Sequence, residues 1–242
     1  VKLGGIIEIY EKFMGDDPCK IPMKIFPAVH YSMGGMWVDY NQMTNIPGLF
    51  AAGECEYQYH GANRLGANSL VSAIYGGMVA GPKAVEYLRG LKKSTEDLNP
   101  SVFESYRKAQ EEKYEGILAM DGTENAYVIH KELGEWMTAN MTVVRHNDRL
   151  EATINKIKEL KERYKKININ DTSRWNNTGA AFTRQLWNML ELAEAMTKGA
   201  LLRNESRGAH YKPEFPNRND EEFLKTTMAK WTPDGPEISY EP

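Results

Sequence analysis

Two polar clusters near the start of the chain hold the side chains best suited to binding a small anion. The first cluster, HYSMGG, begins at His30, and the second contains Glu54 and Arg64. A guanidinium can hold a carboxylate through two parallel hydrogen bonds, and an imidazole in a polar turn can hydrogen-bond a second carboxylate. Both clusters lie at candidate strand ends and turns, where α/β folds place their ligands. They therefore predict a binding site for a ligand that carries carboxylates.

The stretch HGANRLGANSL, residues 60–70, predicts a tightly turned loop that leads into a helix. Gly61 and Gly66 bracket Arg64, which is the charged side chain of this stretch. A helix that starts near Asn68 would direct its positive amino end toward the same region. The loop is therefore suited to bind negative charge.

Glu54 directly follows an apolar run that ends in the small residues 51–53. Small residues let a ligand approach the backbone, and a carboxylate placed there can accept hydrogen bonds from sugar or sugar-alcohol hydroxyls. Structural alternatives stay open for the other residues. His30 can have a surface or structural role, Arg64 can form a salt bridge with a nearby carboxylate, and Cys55 is interpreted as a buried structural thiol.

The elements that must position these residues are short. Apolar spacing predicts a helix over 3–14 that Gly15 ends. Residues 21–29 are interpreted as an extended segment, and residues 36–40 and 46–53 as candidate strands.

A longer helix is predicted from Asn68, with Asn68 or Ser69 as its cap. Its predicted apolar face comprises Leu70, Ile74, Met78 and Val85. Small residues also recur at 73, 77 and 81, which lowers helix propensity and is useful where another backbone or a cofactor lies very close. Tight packing of the helix on a sheet is the alternative explanation.

The rest of the chain is predicted to be largely helical. After a polar linker, helices are expected near 101–119, 124–142, 147–165 and 178–203, and their short connections indicate an antiparallel bundle. The pair Asn147-Asp148 is expected to cap the third of these helices. The tail from Glu205 is rich in Pro, Arg and Asn and is expected to be irregular, with one or two strands.

The composition argues against several classes of protein. A net charge of −3 gives no reason to expect a nucleic-acid partner. Cys19 and Cys55 form no CxxC pair, so we expect no disulfide scaffold, iron–sulfur cluster or metal site in this chain. The most apolar stretch, residues 67–81, is too short and too interrupted to span a membrane. The sequence begins at Val1 and ends without a terminating pattern, so we expect it to be part of a longer protein.

Four segments together resemble the succinate dehydrogenase/fumarate reductase flavoprotein family. These segments are HYSMGG, NIPGLFAAGE, HGANRLGANSL and RNESRGAHYKPEFPNRNDEEFLKTTM, and their order and spacing extend the resemblance over essentially the whole chain. Within this family, the segments resemble those of bacterial quinone-linked succinate dehydrogenases. It implies an α+β fold, in which part of an FAD-binding α/β domain precedes an antiparallel helical bundle and an irregular C-terminal tail.

The resemblance also implies domain limits. Residues 1–90 would form the C-terminal part of the FAD-binding domain, and 1–22 within them would be the exit from the capping domain. Residues 91–100 would link this part to a helical bundle over 101–204, and residues 205–242 would form the C-terminal segment.

The resemblance implies a role for each candidate site residue. His30 and Arg64 would bind the carboxylates of succinate or fumarate. Glu54 would contact the ribityl chain of FAD, and Ser69 and Leu70 would meet the isoalloxazine ring through backbone groups. Members of the family pass electrons to an iron–sulfur subunit and on to quinone. We therefore expect a cytoplasmic protein, held at the cytoplasmic face of the membrane by an iron–sulfur subunit and membrane anchor subunits.

Two features of the family pattern do not occur in this sequence. There is no GxGxxG motif for the FAD diphosphate, and no arginine precedes Arg64. The family's histidine that bonds covalently to FAD and its proton-transferring arginine would therefore lie upstream, and no catalytic residue is assigned here. We expect this chain alone neither to bind FAD tightly nor to oxidise succinate.

Other functions stay open at this stage. L-aspartate oxidase and adenylylsulfate reductase contain segments like HGANR, although the tail SRGAHYKPEFPNRNDEEFLK favours the succinate and fumarate branch. The helical part can alternatively be a non-catalytic module that docks the iron–sulfur subunit. An NAD-binding domain is the weakest alternative, because no strand–GxGxxG–helix unit is present.

Overall fold

The computed structural model describes residues 3–25 and 29–242. The chain falls into two compact units, residues 1–32 and 33–242, and each is described by itself. No helix in the described ranges combines the length and the apolar character that a membrane crossing requires.

The first unit contains helix α1, Gly4–Met14. The helix ends where Gly15 adopts a left-handed φ of 73°, and the Gly15 amide closes the last turn on the Glu11 carbonyl. The predicted helix and its stop are therefore confirmed. Of the predicted extended segment, residues 26–28 lie outside the described residues, and residues 22–25 form no regular strand.

The second unit begins with an irregular segment in which single bridges replace the predicted strands. Met36 forms one parallel bridge with Glu56, and Met43 forms one antiparallel bridge with Phe50. The prediction of regular strands over 36–40 and 46–53 is therefore wrong. A buried strand needs neighbours along its length, and within the described residues each of these segments meets one short partner.

Helix α2, Asn68–Gly90, follows this segment and packs against a 3₁₀ turn at Gly53–Cys55. Its buried residues are Ser72 and Gly76. The four residues predicted to form its core-facing stripe are exposed, so the prediction of the helix is confirmed but the prediction of its packed face is wrong. Small side chains make the contact because Gly76 lies close to Ala52: a Cβ added to Gly76 would be 3.3 Å from the Ala52 Cβ.

The linker contains a short 3₁₀ turn, Thr95–Asp97, that the Ser94 side chain caps. Helix α3, Pro100–Leu118, then begins with proline in its first turn and with the Asn99 side chain as its N-cap. Proline suits this position because its missing N–H would have no helical partner there.

The helical bundle is completed by α4, Ala126–Met141, α5, Asn147–Tyr164, and α6, Thr178–Leu202. Helix α6 packs against α3, α4 and α5. The main core cluster consists of Ala126, Ile129, Leu133, Ile157, Leu160, Tyr164, Ile167, Leu186, Leu190 and Ala193. The helical periodicity of the sequence therefore predicted this part of the fold correctly.

The start of α5 differs from its prediction. The residue that precedes the helix is His146, whose side chain makes no capping hydrogen bond, and within the first turn the Arg149 amide donates to Asp148 Oδ1 at 2.8 Å. The Asn147 side chain instead donates a hydrogen bond to Asn204 Oδ1 at 3.2 Å. A long-range contact thus takes the amide that the sequence pattern assigned to a local cap.

The C-terminal segment contains a short helix, α7, Asp220–Phe223, and two antiparallel strands. Strands β1, Thr226–Lys230, and β2, Glu237–Glu241, pair in a register that aligns Met228 with Ser239, and both pack against α6. The expected strands in the tail are confirmed, and so is the α+β fold with its antiparallel helical bundle. The proposed domain limits stay a prediction.

Candidate functional site

The end of the HYSMGG cluster lies against the backbone that follows Glu54. The Met36 amide donates to the Cys55 carbonyl at 2.7 Å, and the Tyr57 amide donates to the Met36 carbonyl at 3.3 Å. A Cβ added to Gly35 would be 2.3 Å from the Cys55 oxygen. Gly35 is therefore required for this close approach of two backbone segments.

Glu54 lies in the 3₁₀ turn at Gly53–Cys55 and is exposed. The turn starts at Gly53, whose φ is 81°, and a Cβ there would be 3.5 Å from the Ala73 Cβ on α2. The neighbouring thiol of Cys55 is exposed and donates to the Ala52 carbonyl at 3.2 Å. The interpretation of Cys55 as buried is therefore wrong, because its side chain lies on the outer side of the turn.

Glu56 is a buried carboxylate below this turn that the sequence analysis did not single out. Burial raises the pKa of Glu56, although its hydrogen bond from the Gln58 amide and the nearby charge of His60 oppose that shift. Glu54 and Glu56 are two residues apart in the sequence, yet the first carboxylate is exposed and the second is buried. No sequence signal distinguishes the two, since burial of Glu56 depends on its long-range bridge to Met36.

The loop that carries Arg64 is tied to α2 through its first residue. His60 Nε2 lies 3.0 Å from Ser72 Oγ, and Ser72 Oγ donates to the Ser69 carbonyl at 2.9 Å. Gly61 has a φ of 53°, which permits the tight turn that the sequence predicts. Arg64 is half-buried, and its Nη1 donates to the Leu65 carbonyl at 3.1 Å.

The amino end of α2 lacks a side-chain cap. The residue before the helix is Ala67, which has a left-handed φ of 63°, so the prediction of Asn68 or Ser69 as the cap is wrong. The first-turn amides of a helix carry a partial positive charge, and anions bind there when no side chain takes their place. Ser69 is half-buried and Leu70 is 73% exposed in this first turn.

His30 belongs to the first compact unit and is exposed. Arg64, Glu54, Ser69 and Leu70 belong to the second unit. The four residues of the second unit lie on a turn, a loop and a helix start that contact one another through Gly53, Ala73 and Ser72. The pairing of His30 with Arg64 stays a prediction.

Three side chains with metal-binding atoms approach one another elsewhere in the described chain. Ligand atoms of His146, Asp148 and Glu214 lie within 4.8 Å of one another. His146 Nδ1 already contacts Glu214 Oε1 at 2.9 Å, which accounts for the cluster as a contact between the start of α5 and the C-terminal segment. The expectation of no metal site stays a prediction.

The polar run RNESRGAH, residues 203–210, forms a buried network that the sequence analysis did not predict. Glu205 is 0% exposed and pairs with Arg203 at 3.0 Å and with Arg207 at 2.8 Å. The Asn219 amide also donates to Glu205 at 2.9 Å. Charged residues usually signal a solvated surface, so the density of charge in this run concealed its burial.

Two further buried titratable side chains, His210 and Lys212, extend this network toward the bundle. Burial lowers the pKa of His210 to about 4 and the pKa of Lys212 to about 8. Lys212 Nζ donates to the Leu201 carbonyl at 2.9 Å and to Asn204 Oδ1 at 3.1 Å. It therefore satisfies a carbonyl at the C-terminal end of α6.

The same C-terminal run touches the Arg64 loop. The Ala209 amide donates to the Ala62 carbonyl at 2.9 Å. Gly208 lies so close to Ala62 that an added Cβ would be 2.4 Å from the Ala62 oxygen. The glycine in SRGAH is the sequence signal that could have indicated this contact, since glycine is required where backbones approach closely.

Two family descriptions match the chain. The family described as FAD binding domain matches residues 1–70, and the family described as Fumarate reductase flavoprotein C-term matches residues 130–242.

Curated relatives align over nearly the whole chain. The succinate dehydrogenase flavoprotein subunit of Bacillus subtilis is 71% identical, and the alignment covers 100% of this chain and 42% of that relative. The fumarate reductase flavoprotein subunit of Escherichia coli is 38% identical, over 97% of this chain and 39% of the relative. The chain thus spans about 40% of the length of these relatives.

Solved structures of other proteins have a similar fold. A chain of Escherichia coli quinol fumarate reductase has a TM-score of 0.91 at 37% identity, over 99% of this chain and 41% of the other. A chain of adenosine-5-phosphosulfate reductase has a TM-score of 0.64 at 20% identity, over 84% of this chain and 33% of the other, which is a likeness of fold alone. The two family matches, the 71% identity to the Bacillus subtilis subunit and the TM-score of 0.91 to the fumarate reductase chain together show that the chain belongs to the family of succinate dehydrogenase and fumarate reductase flavoprotein subunits.

Proposed function

We propose that this chain is the C-terminal part of a flavoprotein subunit that interconverts succinate and fumarate with FAD. The feature that supports this most strongly is the loop at 60–66, in which the half-buried Arg64 precedes the uncapped amino end of α2. The relatives at 71% and 38% identity are named succinate dehydrogenase and fumarate reductase flavoprotein subunits, which supports the same assignment.

The residues of this region fit FAD. Gly77 and Gly81 have open space where a Cβ would lie, Leu70 is exposed, and α2 begins without a side-chain cap. We assign Glu54 to the hydroxyls of the ribityl chain, and Ser69 and Leu70 to the isoalloxazine ring through their backbone groups. When bound, FAD supplies the two-electron acceptor for oxidation of succinate.

Arg64 and His30 are assigned to the two carboxylates of the substrate. The Arg64 guanidinium can hold one carboxylate through two parallel hydrogen bonds, and the His30 imidazole can hydrogen-bond the other. Two such contacts orient the diacid and stabilise charge that develops next to one carboxylate during the reaction. Proton transfer is assigned to no residue of this chain.

The proposed partners are an iron–sulfur subunit, which would take the electrons, and membrane anchor subunits that bind quinone. One similar solved structure is of a quinol-fumarate reductase with menaquinol molecules, and another is of a Mycobacterium smegmatis protein in complex with UQ1. By this proposal the protein lies on the cytoplasmic face of the membrane and is held there by its partners.

The test of the proposal is Arg64→Ala in the complete subunit, assembled with its partners. We expect kcat/KM for succinate to fall by about 1000-fold or more, because the variant removes a charged contact at the reacting substrate. Arg64→Lys should recover a small part of the loss, since lysine keeps the charge but not the planar fork. FAD content, measured from the flavin absorbance, should stay at the level of the unmodified protein.

Arg89→Ala is the matched control. Arg89 is an exposed arginine in the last turn of the same helix, so its removal should leave both kcat/KM and FAD content unchanged. Near-normal kcat/KM in Arg64→Ala would rule out the assigned role of this residue.

A further inference from the structure

We propose that the turn at residues 207–210 positions the Arg64 loop, and that Gly208 is the residue on which this positioning depends. The inference rests on the proposed function of Arg64. It assigns to the C-terminal segment a part in substrate binding although that segment is distant in sequence from the loop.

The contact itself is backbone on backbone. The Ala209 amide donates to the Ala62 carbonyl at 2.9 Å. A Cβ added to Gly208 would be 2.4 Å from the Ala62 oxygen and 2.9 Å from the Ala62 Cβ. Gly208 also has a φ of 57°, which side chains other than glycine rarely adopt. Any larger residue at 208 must therefore push the loop away or distort the turn.

Hydrogen bonds of the backbone and of the Arg207 side chain fix the conformation of the turn at 207–210. The Arg207 amide donates to the His210 carbonyl at 2.7 Å, and the His210 amide donates back to the Arg207 carbonyl at 3.0 Å. The Arg207 side chain donates two hydrogen bonds to the buried Glu205 carboxylate, at 2.8 and 3.0 Å. Such a paired contact between a guanidinium and a carboxylate fixes direction as well as distance.

Hydrogen bonds also fix the turn at 207–210 to the helical bundle. His210 Nε2 contacts the Arg203 carbonyl at 2.9 Å, at the residue that follows α6. His210 Nδ1 contacts Arg145 Nη1 at 2.6 Å, and the Arg145 amide donates to the Tyr211 carbonyl at 3.0 Å. The loop is therefore supported from the packed bundle through one turn.

Ala62, which the turn contacts, is close in sequence to Arg64, the residue assigned to the substrate. Ala62 precedes Arg64 by two residues, and the Asn63 amide between them donates to the His60 carbonyl at 3.2 Å. A displacement of Ala62 must be passed to Arg64 within a loop this short. Misplacing a substrate contact by about 1 Å can cost roughly 100-fold in rate.

The test is Gly208→Ala in the complete subunit with its partners. We expect kcat/KM for succinate to fall by about 10- to 100-fold. The KM and the inhibition constant of malonate, a diacid that cannot be oxidised, should rise more than kcat falls, and FAD content should be unchanged. Hydrogen exchange of amides 60–66 should become faster.

Gly235→Ala is the matched control. Gly235 also lies in the C-terminal segment with a positive φ, of 104°, so alanine strains the backbone there as well. Its Cβ would meet the Glu194 side chain at 3.2 Å and not the Arg64 loop. This variant should keep normal KM, normal malonate inhibition and normal exchange at 60–66.

If Gly208→Ala does not fold, Arg207→Lys provides the same test in a milder form, because lysine keeps the charge but cannot make both hydrogen bonds to Glu205. Unchanged exchange at 60–66, or faster exchange with unchanged KM and malonate inhibition, would overturn the positioning role. Failure of the proposed function would be visible separately, as normal kcat/KM in Arg64→Ala.

Discussion

Helices α2 and α6 are of similar length, 23 and 25 residues, but only α6 buries large apolar side chains. Helix α6 buries apolar side chains such as Leu186 and Leu190 in the centre of the bundle. Helix α2 buries Ser72 and Gly76 and leaves the larger side chain of Ile74 exposed. The bundle thus completes its core within the described chain, whereas α2 presents its apolar stripe together with Gly77 and Gly81 to the outside. Two of the residues assigned to FAD, Ser69 and Leu70, lie at the start of this open helix, and the third, Glu54, lies on the 3₁₀ turn that packs against it.

The strongest test of the comparison is to truncate one large side chain on each helix. Leu186→Ala should destabilise this chain by about 2–5 kcal/mol, because Leu186 is 0% exposed and its removal leaves a cavity. Ile74→Ala should change the free energy of unfolding by less than about 0.5 kcal/mol, because Ile74 is 64% exposed. Urea unfolding of the two variants beside the unmodified chain measures both values. Equal losses would show that α2 is packed as firmly as α6.

A second test concerns how the C-terminal segment, which packs against α6, responds to acid. His210 has a pKa of about 4 in the folded chain, mainly because burial disfavours the charged ring, against 6.5 for an ordinary histidine. The facing charges of Arg145, Lys212 and Arg203 lower it further. Since the folded pKa is the lower one, the unfolded state binds the proton more tightly. The contribution of neutral His210 to stability is therefore complete above pH 6.5 and is lost as the pH falls toward 4.

The expected loss over this window is about 3 kcal/mol, from the pKa difference. His210→Gln should remove most of the dependence between these pH values, because glutamine does not titrate. His130→Gln is the control, since His130 is an exposed histidine on α4, and it should keep the slope of the unmodified chain. Thermal or urea unfolding at several pH values measures the slopes. An unchanged slope in His210→Gln would refute the assignment.

The contrast between the helices also explains what could be predicted from the sequence. Periodicity located the bundle helices to within two residues at each end, because a 3.6-residue repeat of apolar side chains reports local geometry. The same repeat in α2 predicted the helix but not its packed face. Whether an apolar stripe is covered depends on which other elements are present, and periodicity carries no information about them.

The site was predicted in part for the same reason. The loop around Arg64 follows from Gly61 and Gly66, which are local signals, and the structure has the turn at Gly61. The support of that loop by Gly208 joins residues far apart in the sequence, and no local pattern indicates such a pairing. Burial of Glu205 was likewise missed, because a buried charge is tolerated through partners that only the fold brings together.

The smallest and most specific effect is expected at the glycines of α2. A Cβ at Gly77 would meet open space, so Gly77→Ala should stabilise this chain by about 0.5–1 kcal/mol through helix propensity. Gly76→Ala is the control, because its Cβ would be 3.3 Å from both the Ala52 Cβ and Gln42 Oε1, and crowding there offsets the gain. Thermal unfolding distinguishes the two variants.

The same pair of variants sharpens the comparison in the complete subunit. If the open face of α2 lies against FAD or the remaining part of its domain, as the proposed function requires, Gly77→Ala must lose its advantage there and lower the FAD content. A Gly77→Ala subunit that is more stable than the unmodified one and keeps its full FAD content would show that this face stays open. The glycines of α2 would then have no part in holding the cofactor, and the assignment of the helix would depend on its amino end alone.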